Sequence, residues 1–254
     1  MKRVKLTVAY DGTNFCGWQT QVNGNAVQDV LNRHLCDLLG EDVKTMGASR
    51  TDSGVHARGN VAVFDTDARI PVEKICFALN ARLPEDIRVL RSEEVDGAFH
   101  PRFTQTVKTY EYCIWNDVFA DPMHRLYAMH AYGNLDDRAM DRAAQYLLGE
   151  HDFVSFCSAG NQTLTTVRTI FEIGVRREGC LVTMRIRGNG FLYNMVRIIA
   201  GTLIEVGQGK CSAECVEGIL TACDRSQAGP TAVAKGLTLV GIKYPEWEGG
   251  RIRL

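Results

Sequence analysis

The apolar residues of this chain switch spacing between a period of two and a period near 3.6 in a fixed order, and the order runs through twice. Residues 3–10 place Val4, Leu6, Val8 and Tyr10 on one side of an alternating run that stops at Asp11-Gly12, which predicts a strand ending in a turn. Residues 27–39 then space Val27, Val30, Leu31, Leu35, Leu38 and Leu39 as one helix face, with Gly40 as the stop. Strand-like segments near 43–48 and 60–66, a helix opened by Pro71 and running to about 82, and a short strand from Ile87 to Leu90 complete the order βαββαβ. From 108 the order restarts, with strands near 108–115 and 126–132, a helix over about 136–148 closed by Gly149, and a hairpin over 168–187 turning at Glu178-Gly179. Helices over 191–206 and 213–223 and a last strand over 237–244 follow. Two split βαβ orders predict an α+β fold: two ferredoxin-like halves forming a mixed, largely antiparallel sheet with helices on one side and a central cleft.

At 254 residues such a body can bury a full core without staples. A hydrophobic share of 45% and a charged share of 23% exclude a disordered or collagenous chain. No run of about 18 uncharged apolar residues occurs, and the start, MKRVKLTVAYDG, alternates instead of forming a signal-peptide core, so neither a membrane span nor export is expected. The nine cysteines contain no CxxC pair and fit a reducing cytosol. Cys211 and Cys215 stand one helical turn apart with Cys223 beyond them, but a zinc site wants more ligands at tight spacing, so buried small hydrophobes and no metal are expected. In a chain that is not exported, the sequon Asn161-Gln162-Thr163 carries no meaning. The net charge of -1 announces no nucleic-acid binder, although a local basic surface is compatible with it.

The chemistry concentrates in GASRTDSGVHARGN, residues 47–60, a segment rich in Gly, Ser and charge between two predicted strands. Asp52 has Arg50 two residues before it and Gly54 two after, so a carboxylate is offered at a tight turn among groups that keep it ionised. An ionised, fixed aspartate is a candidate nucleophile or base, whereas an isolated Asp-x-Gly is more often a turn aspartate bonded to its own backbone. His56 is a second candidate base, against the commoner reading of a lone loop histidine as a support residue. Asp52-Ser53-Gly54 also matches the triplet of aspartic proteases, but only one copy occurs and Ser49-Arg50-Thr51, not an apolar strand, precedes it. Neither GxGxxG nor GxxxxGK[ST] is present, Gly188-Asn189-Gly190 lacks a third glycine, and no GxSxG elbow occurs. No nucleotide cofactor is expected.

YDGTNFCGWQ at 10–19, SRTDSGVHA at 49–57, FHPRFT at 99–104, KTYEY at 108–112, FLYNMVRIIAG at 191–201 and KGLTL at 235–239 follow one another in one order. Together they resemble the tRNA pseudouridine synthase A family nearly from end to end. The resemblance implies a cytoplasmic, homodimeric isomerase, free of cofactors, that converts uridine to pseudouridine at positions 38 to 40 of the tRNA anticodon stem-loop. It further implies that Asp52 is the catalytic nucleophile, that Tyr110 packs beside the target base, that Arg197 partners the catalytic carboxylate, and that Arg50 enters the RNA helix where the flipped base was. Residues 1–107 then form an N-terminal catalytic half carrying the RTD loop, and residues 108–254 a C-terminal half completing the cleft.

The residues alone leave alternatives open. Tyr110 shares a strand face with Tyr112 and Ile114 and reads equally as core. Arg197 falls opposite the apolar arc of its predicted helix, beside Asn194 and Gly201, facing solvent or a cleft. Arg33, Lys44, Arg58, Arg102 and Lys108 could meet phosphates or only water. A non-catalytic RNA-binding module is the alternative function, since βαββαβ is also the RRM order, although the RNP1 pattern is absent. Ser53 stands where similar sequences more often carry alanine, and Val233 in a segment where they often carry proline.

Overall fold

Alternation along the first strand, β1 (Lys2–Tyr10), buries Val4, Leu6, Val8 and Tyr10, and the strand turns at Asp11, whose carboxylate accepts the Thr13 N–H at 2.9 Å. The computed structural model describes residues 1–22, 24–160 and 163–245, so Asn161 and Gln162 of the sequon lie outside the described residues. Helix α1 (Val27–Leu39) ends at Gly40 in the left-handed conformation, φ 69°, and buries Val27, Val30, Leu31 and Leu35. Strands β2 (Met46–Gly47) and β3 (His56–Thr66), helix α2 (Val72–Asn80) and strand β4 (Ile87–Val95) follow. The next elements are β5 (Val107–Asn116), β6 (Met129–Ala131), α3 (Asp137–Gln145), β7 (Gly149–Asp152), β8 (Val167–Glu178) and β9 (Leu181–Gly188). Helices α4 (Met195–Gly207) and α5 (Cys215–Ala222) and strand β10 (Leu237–Lys243) complete an α+β fold whose strands are mixed and mostly antiparallel.

The chain divides into two units, Met1–Thr106 with the segment from Leu239 onward, and Val107–Thr238. In the first, β1 runs antiparallel between β4 and β3, β10 lies along the far side of β3, and β2 pairs with β3. Val4, Leu6 and Val8 stand opposite Phe64, Ala62 and Asn60, so these six share one face of the sheet. The intervening Val61 and Val63 point the other way, into a second cluster with Ala48, Phe99 and Tyr244. Covering on both faces is why β3 is buried at nearly every position instead of at alternate ones.

The second unit orders its strands β5-β9-β8-β7, all antiparallel, with the short β6 parallel to β5. Tyr110, Tyr112 and Ile114 are the buried positions of β5 and stand opposite Ile186, Met184 and Val182. Helix α3 packs against β8, where the Asp141 carboxylate accepts the Val175 N–H at 2.8 Å.

Several predicted bounds shift, each for a local reason. The segment after Gly149 is strand β7, missed because Gly-Glu-His-Asp buries nothing at an edge and so shows no alternation. Strand β4 continues past Leu90 to Val95, its polar stretch secured by the buried Ser92 hydroxyl, which accepts the Cys76 N–H at 3.0 Å and donates to the Val72 carbonyl at 2.6 Å. Helix α4 starts at Met195, not 191, because Asn194 sits at φ 60°, a left-handed turn that no helix passes through. Cys223, at φ 50°, closes α5 one residue before the expected end.

Candidate active site

The loop between β2 and β3 carries Arg50 and Asp52, and its main chain is seated on the segment that follows β1. The Trp18 N–H donates to the Thr51 carbonyl at 3.1 Å, the Gly54 N–H to the Phe15 carbonyl at 3.3 Å, and the Val55 N–H to the Asp52 carbonyl at 3.1 Å, closing a turn around the aspartate. Two glycines make this approach sterically feasible. A Cβ on Gly17, which lies at φ +106°, would stand 2.5 Å from the Thr51 carbonyl oxygen, and one on Gly12 would stand 2.1 Å from that of Val55. Gly54, at φ 75°, takes the left-handed step that returns the chain toward β3.

Buried side chains brace the same loop. The hydroxyls of Tyr10 and Thr51 are 2.7 Å apart, and the Asn60 amide donates to the Tyr10 hydroxyl at 3.3 Å and to the Ser49 carbonyl at 3.0 Å. Trp18, 1% exposed, lies against Gly47, where a Cβ would come within 2.0 Å of the indole nitrogen. His56 is 4% exposed, and its Nδ1 accepts the Gly12 N–H at 3.0 Å and sits 3.1 Å from the Asp11 carboxylate. Burial and these partners make His56 part of the loop's support, whereas Asp52 is half-buried and Arg50 exposed. The Ser53 hydroxyl donates to the Phe15 carbonyl at 3.3 Å, a contact alanine could not make.

In the second unit, Tyr110 on β5 is 7% exposed and meets the ring of Phe191 edge-on, with centroids 5.3 Å apart and planes at 87°. Next along that face, the Tyr112 hydroxyl donates to the Val233 carbonyl at 2.8 Å, and burial raises its phenol well above the ordinary tyrosine value, with the Arg197 charge pulling weakly the other way. Arg197 lies in the first turn of α4, where its Nε donates to the Ala232 carbonyl at 2.8 Å and its Nη1 to the Asn194 side-chain oxygen at 2.8 Å. The Asn194 amide nitrogen in turn donates to the Ser158 hydroxyl at 2.9 Å.

Part of the side of α4 opposite its apolar arc is therefore covered from within the second unit. Residues 228–234 cover it, and a Cβ on Gly201 would fall 1.8 Å from the Pro230 carbonyl oxygen. Phe191, Asn194 and Ser158 escaped the sequence reading as supports. The first two stand inside the quoted FLYNMVR motif, while nothing about Ser158 marks it in advance. Among the other cysteines, the Cys215 and Cys211 sulfurs are 2.9 Å apart, and burial, with Cys211 beside it, pushes the Cys215 thiol up to about 12. A thiol held protonated is a poor nucleophile.

A family model described as tRNA pseudouridine synthase matches residues 6–104 and 143–245. The chain is 50% identical over 244 residues to the tRNA pseudouridine synthase A of Brevibacillus brevis, covering 96% of this chain and 100% of that one. It is 48% identical over 245 residues to the protein of the same name from Ruminiclostridium cellulolyticum, with 96% and 100% covered, and 48% identical over 244 residues to that of Acetivibrio thermocellus, again with 96% and 100% covered.

Proposed function

The chain belongs to the tRNA pseudouridine synthase family, and from that membership we propose that it isomerises uridines of the tRNA anticodon stem-loop, at positions 38 to 40, with Asp52 as the nucleophile. It is an isomerase acting on tRNA, and a non-catalytic RNA-binding module is not favoured. The reaction breaks the bond between uracil N1 and ribose C1′, turns the base, joins C5 to C1′, releases the C5 proton to water and takes up a proton at the freed N1. Uridine and pseudouridine have the same composition, so the overall step calls for no electron donor and no donated group.

A carboxylate serves each route to that exchange: attack on C1′, addition to uracil C6, or removal of the 2′ proton. All three need an anion held still against a base that has left its stack, because unstacking costs a few kcal/mol that the pocket must offset. The observation that carries the assignment is the seat of the Asp52 turn, whose main chain rests on Phe15, Gly17 and Trp18 and cannot shift without opening those contacts. Tyr110 offers a ring fixed by Phe191 for packing beside the extruded uracil, and Arg197 a guanidinium whose direction is set by Ala232 and Asn194. Arg50, exposed and two residues from Asp52, takes the place of the flipped base in the RNA helix. We assign the working form as a cytoplasmic homodimer in which one tRNA contacts both subunits. No helix among the described residues is long and apolar enough to cross a membrane.

Tritium release from unmodified tRNA labelled at uridine C5 tests this reading. The native chain is expected to release tritium, and Asp52→Asn to bind tRNA while releasing none above background. Loss of tRNA binding together with turnover in Asp52→Asn would make the aspartate structural, and a native chain that releases nothing would overturn the activity.

A further inference from the structure

The FHPRF turn, residues 99–103, has no task in the reaction described above, yet it is built as a rigid pedestal. Phe99 is fully buried in the cluster behind β3 and meets Tyr244 edge-on, with ring centroids 4.9 Å apart. The Tyr244 hydroxyl donates to the Pro101 carbonyl at 3.0 Å, and the Thr104 N–H to the His100 carbonyl at 3.1 Å. His100 Nδ1 accepts the N–H groups of both Arg102 and Phe103 at 3.2 Å. Burial, helped by the charges of Arg102 and Arg3, lowers the His100 pKa and so preserves the unprotonated nitrogen those two bonds require.

This frame drives Phe99 and Pro101 inward and throws the next two residues out. Phe103 is 83% exposed, forfeiting most of the burial free energy of a phenyl ring, and one of its faces stacks on His100 with centroids 4.1 Å apart and planes at 23°. Its other face is open to water. Arg102 is exposed beside it. Ala48 belongs to the same cluster as Phe99, so Arg50, two residues beyond Ala48, and Arg102, three beyond Phe99, both leave from one small core. Partial burial, with the Arg50 charge adding to it, lowers the Arg102 pKa. A guanidinium beside an open ring suits a ligand that brings an anion and a flat base together.

We propose that Phe103, backed by His100, is a stacking platform for the base of a nucleotide next to the target uridine, and that Arg102 receives the phosphate of that nucleotide. The platform rests on the tRNA reading above and adds a second contact to it, outside the reacting base. Stacking supplies a sequence-tolerant grip, while Arg102 sets the register of the strand. Phe103 is thus a positioning residue, one that holds the RNA without touching the reacting atoms.

The test uses the full chain and an unmodified tRNA transcript, comparing the native protein with Phe103→Ala, Phe103→Trp and Arg102→Ala. Dissociation constants are measured across a salt series, alongside tritium release at saturating tRNA and thermal melting. Phe103→Ala is expected to weaken binding about tenfold or more with its melting point unchanged and its saturated turnover near native. Phe103→Trp is expected to restore affinity and to show tryptophan quenching when tRNA is added. Arg102→Ala is expected to lower the slope of log affinity against log salt by about one. Native affinity in Phe103→Ala, or a tryptophan variant as weak as the alanine one, overturns the platform. The isomerase reading fails separately, when the native chain binds tRNA but releases no tritium, because the affinities still decide the platform in that case. A native chain that does not bind tRNA overturns both.

Discussion

The loop that carries Asp52 is held from beneath by main chain, whereas Arg197 is held by its own side-chain nitrogens. In the first unit the carbonyls of Thr51 and Val55 press onto Gly17 and Gly12, so the position of the aspartate is set by where the backbone can pass. In the second unit α4 also meets a close carbonyl, that of Pro230 at Gly201, but the guanidinium itself is aimed by the Ala232 carbonyl and the Asn194 amide oxygen. The contrast follows from side-chain length. An aspartate reaches only one methylene from its backbone, so a carboxylate of that type is placed by fixing the loop. A long arginine must be fixed near its far end.

The glycines give the strongest way to break this contrast. Gly17→Ala meets both a positive φ and a carbonyl at 2.5 Å, and is expected to cost about 3 kcal/mol and to abolish tritium release by displacing the Asp52 turn. Gly201→Ala gains about 1 kcal/mol of helix propensity but places a Cβ 1.8 Å from the Pro230 oxygen, so a net loss of about 2 kcal/mol is expected. Denaturant melts and tritium release on both variants check the pair. Should Gly17→Ala keep full turnover, the loop is less firmly seated than its contacts imply.

A smaller effect sharpens the other side of the contrast. Asn194 holds a left-handed φ of 60° and accepts from Arg197, and two substitutions separate these roles. Asn194→Gly keeps the backbone geometry but loses the side-chain oxygen, so stability is expected to stay close to native while turnover falls about tenfold or more. Asn194→Ala is expected to lose the same turnover and about 1 kcal/mol of stability besides. Equal turnover in native and Asn194→Gly proteins would show that Arg197 needs no such guide.

The smallest expected change is a gain. Val233 sits at φ -60° and ψ 145°, angles a proline adopts without strain, and is 47% exposed. Val233→Pro is expected to raise stability by about 0.5 kcal/mol by restricting the unfolded chain, with the Tyr112 hydroxyl bond to the Val233 carbonyl intact. A melting point below that of the native chain would show that the segment over α4 needs the Val233 N–H.

Parts of this architecture are legible in the sequence because their burial is one-sided. Strand β1, helix α1 and the β8–β9 hairpin each have one buried face and one polar face, and their periods announce them. Strand β7 and the second half of β4 are not legible, since an edge strand and a polar strand held by a single serine carry no period. Helix α4 is legible only in part. Its arginine, asparagine and glycine read as a face toward solvent or a cleft, and only the structure shows that residues 228–234 lie along part of that face and supply an acceptor for a partly buried guanidinium.

The candidate site divides along the same line. The family resemblance of the motifs makes Asp52, Tyr110, Arg197 and Arg50 the candidates, where the residues alone leave Tyr110 and Arg197 open, and the family determines the reaction. Only the tertiary structure decides that Gly12 and Gly17 are the seat of the aspartate, that Phe191 fixes the tyrosine ring, and that Ala48, Phe99 and Tyr244 gather into one cluster behind β3. The period of a sequence records which side of an element is apolar. It carries no information on which distant carbonyl, ring or glycine will be brought against that side, because those neighbours come from residues far along the chain and are fixed only when the strands pair.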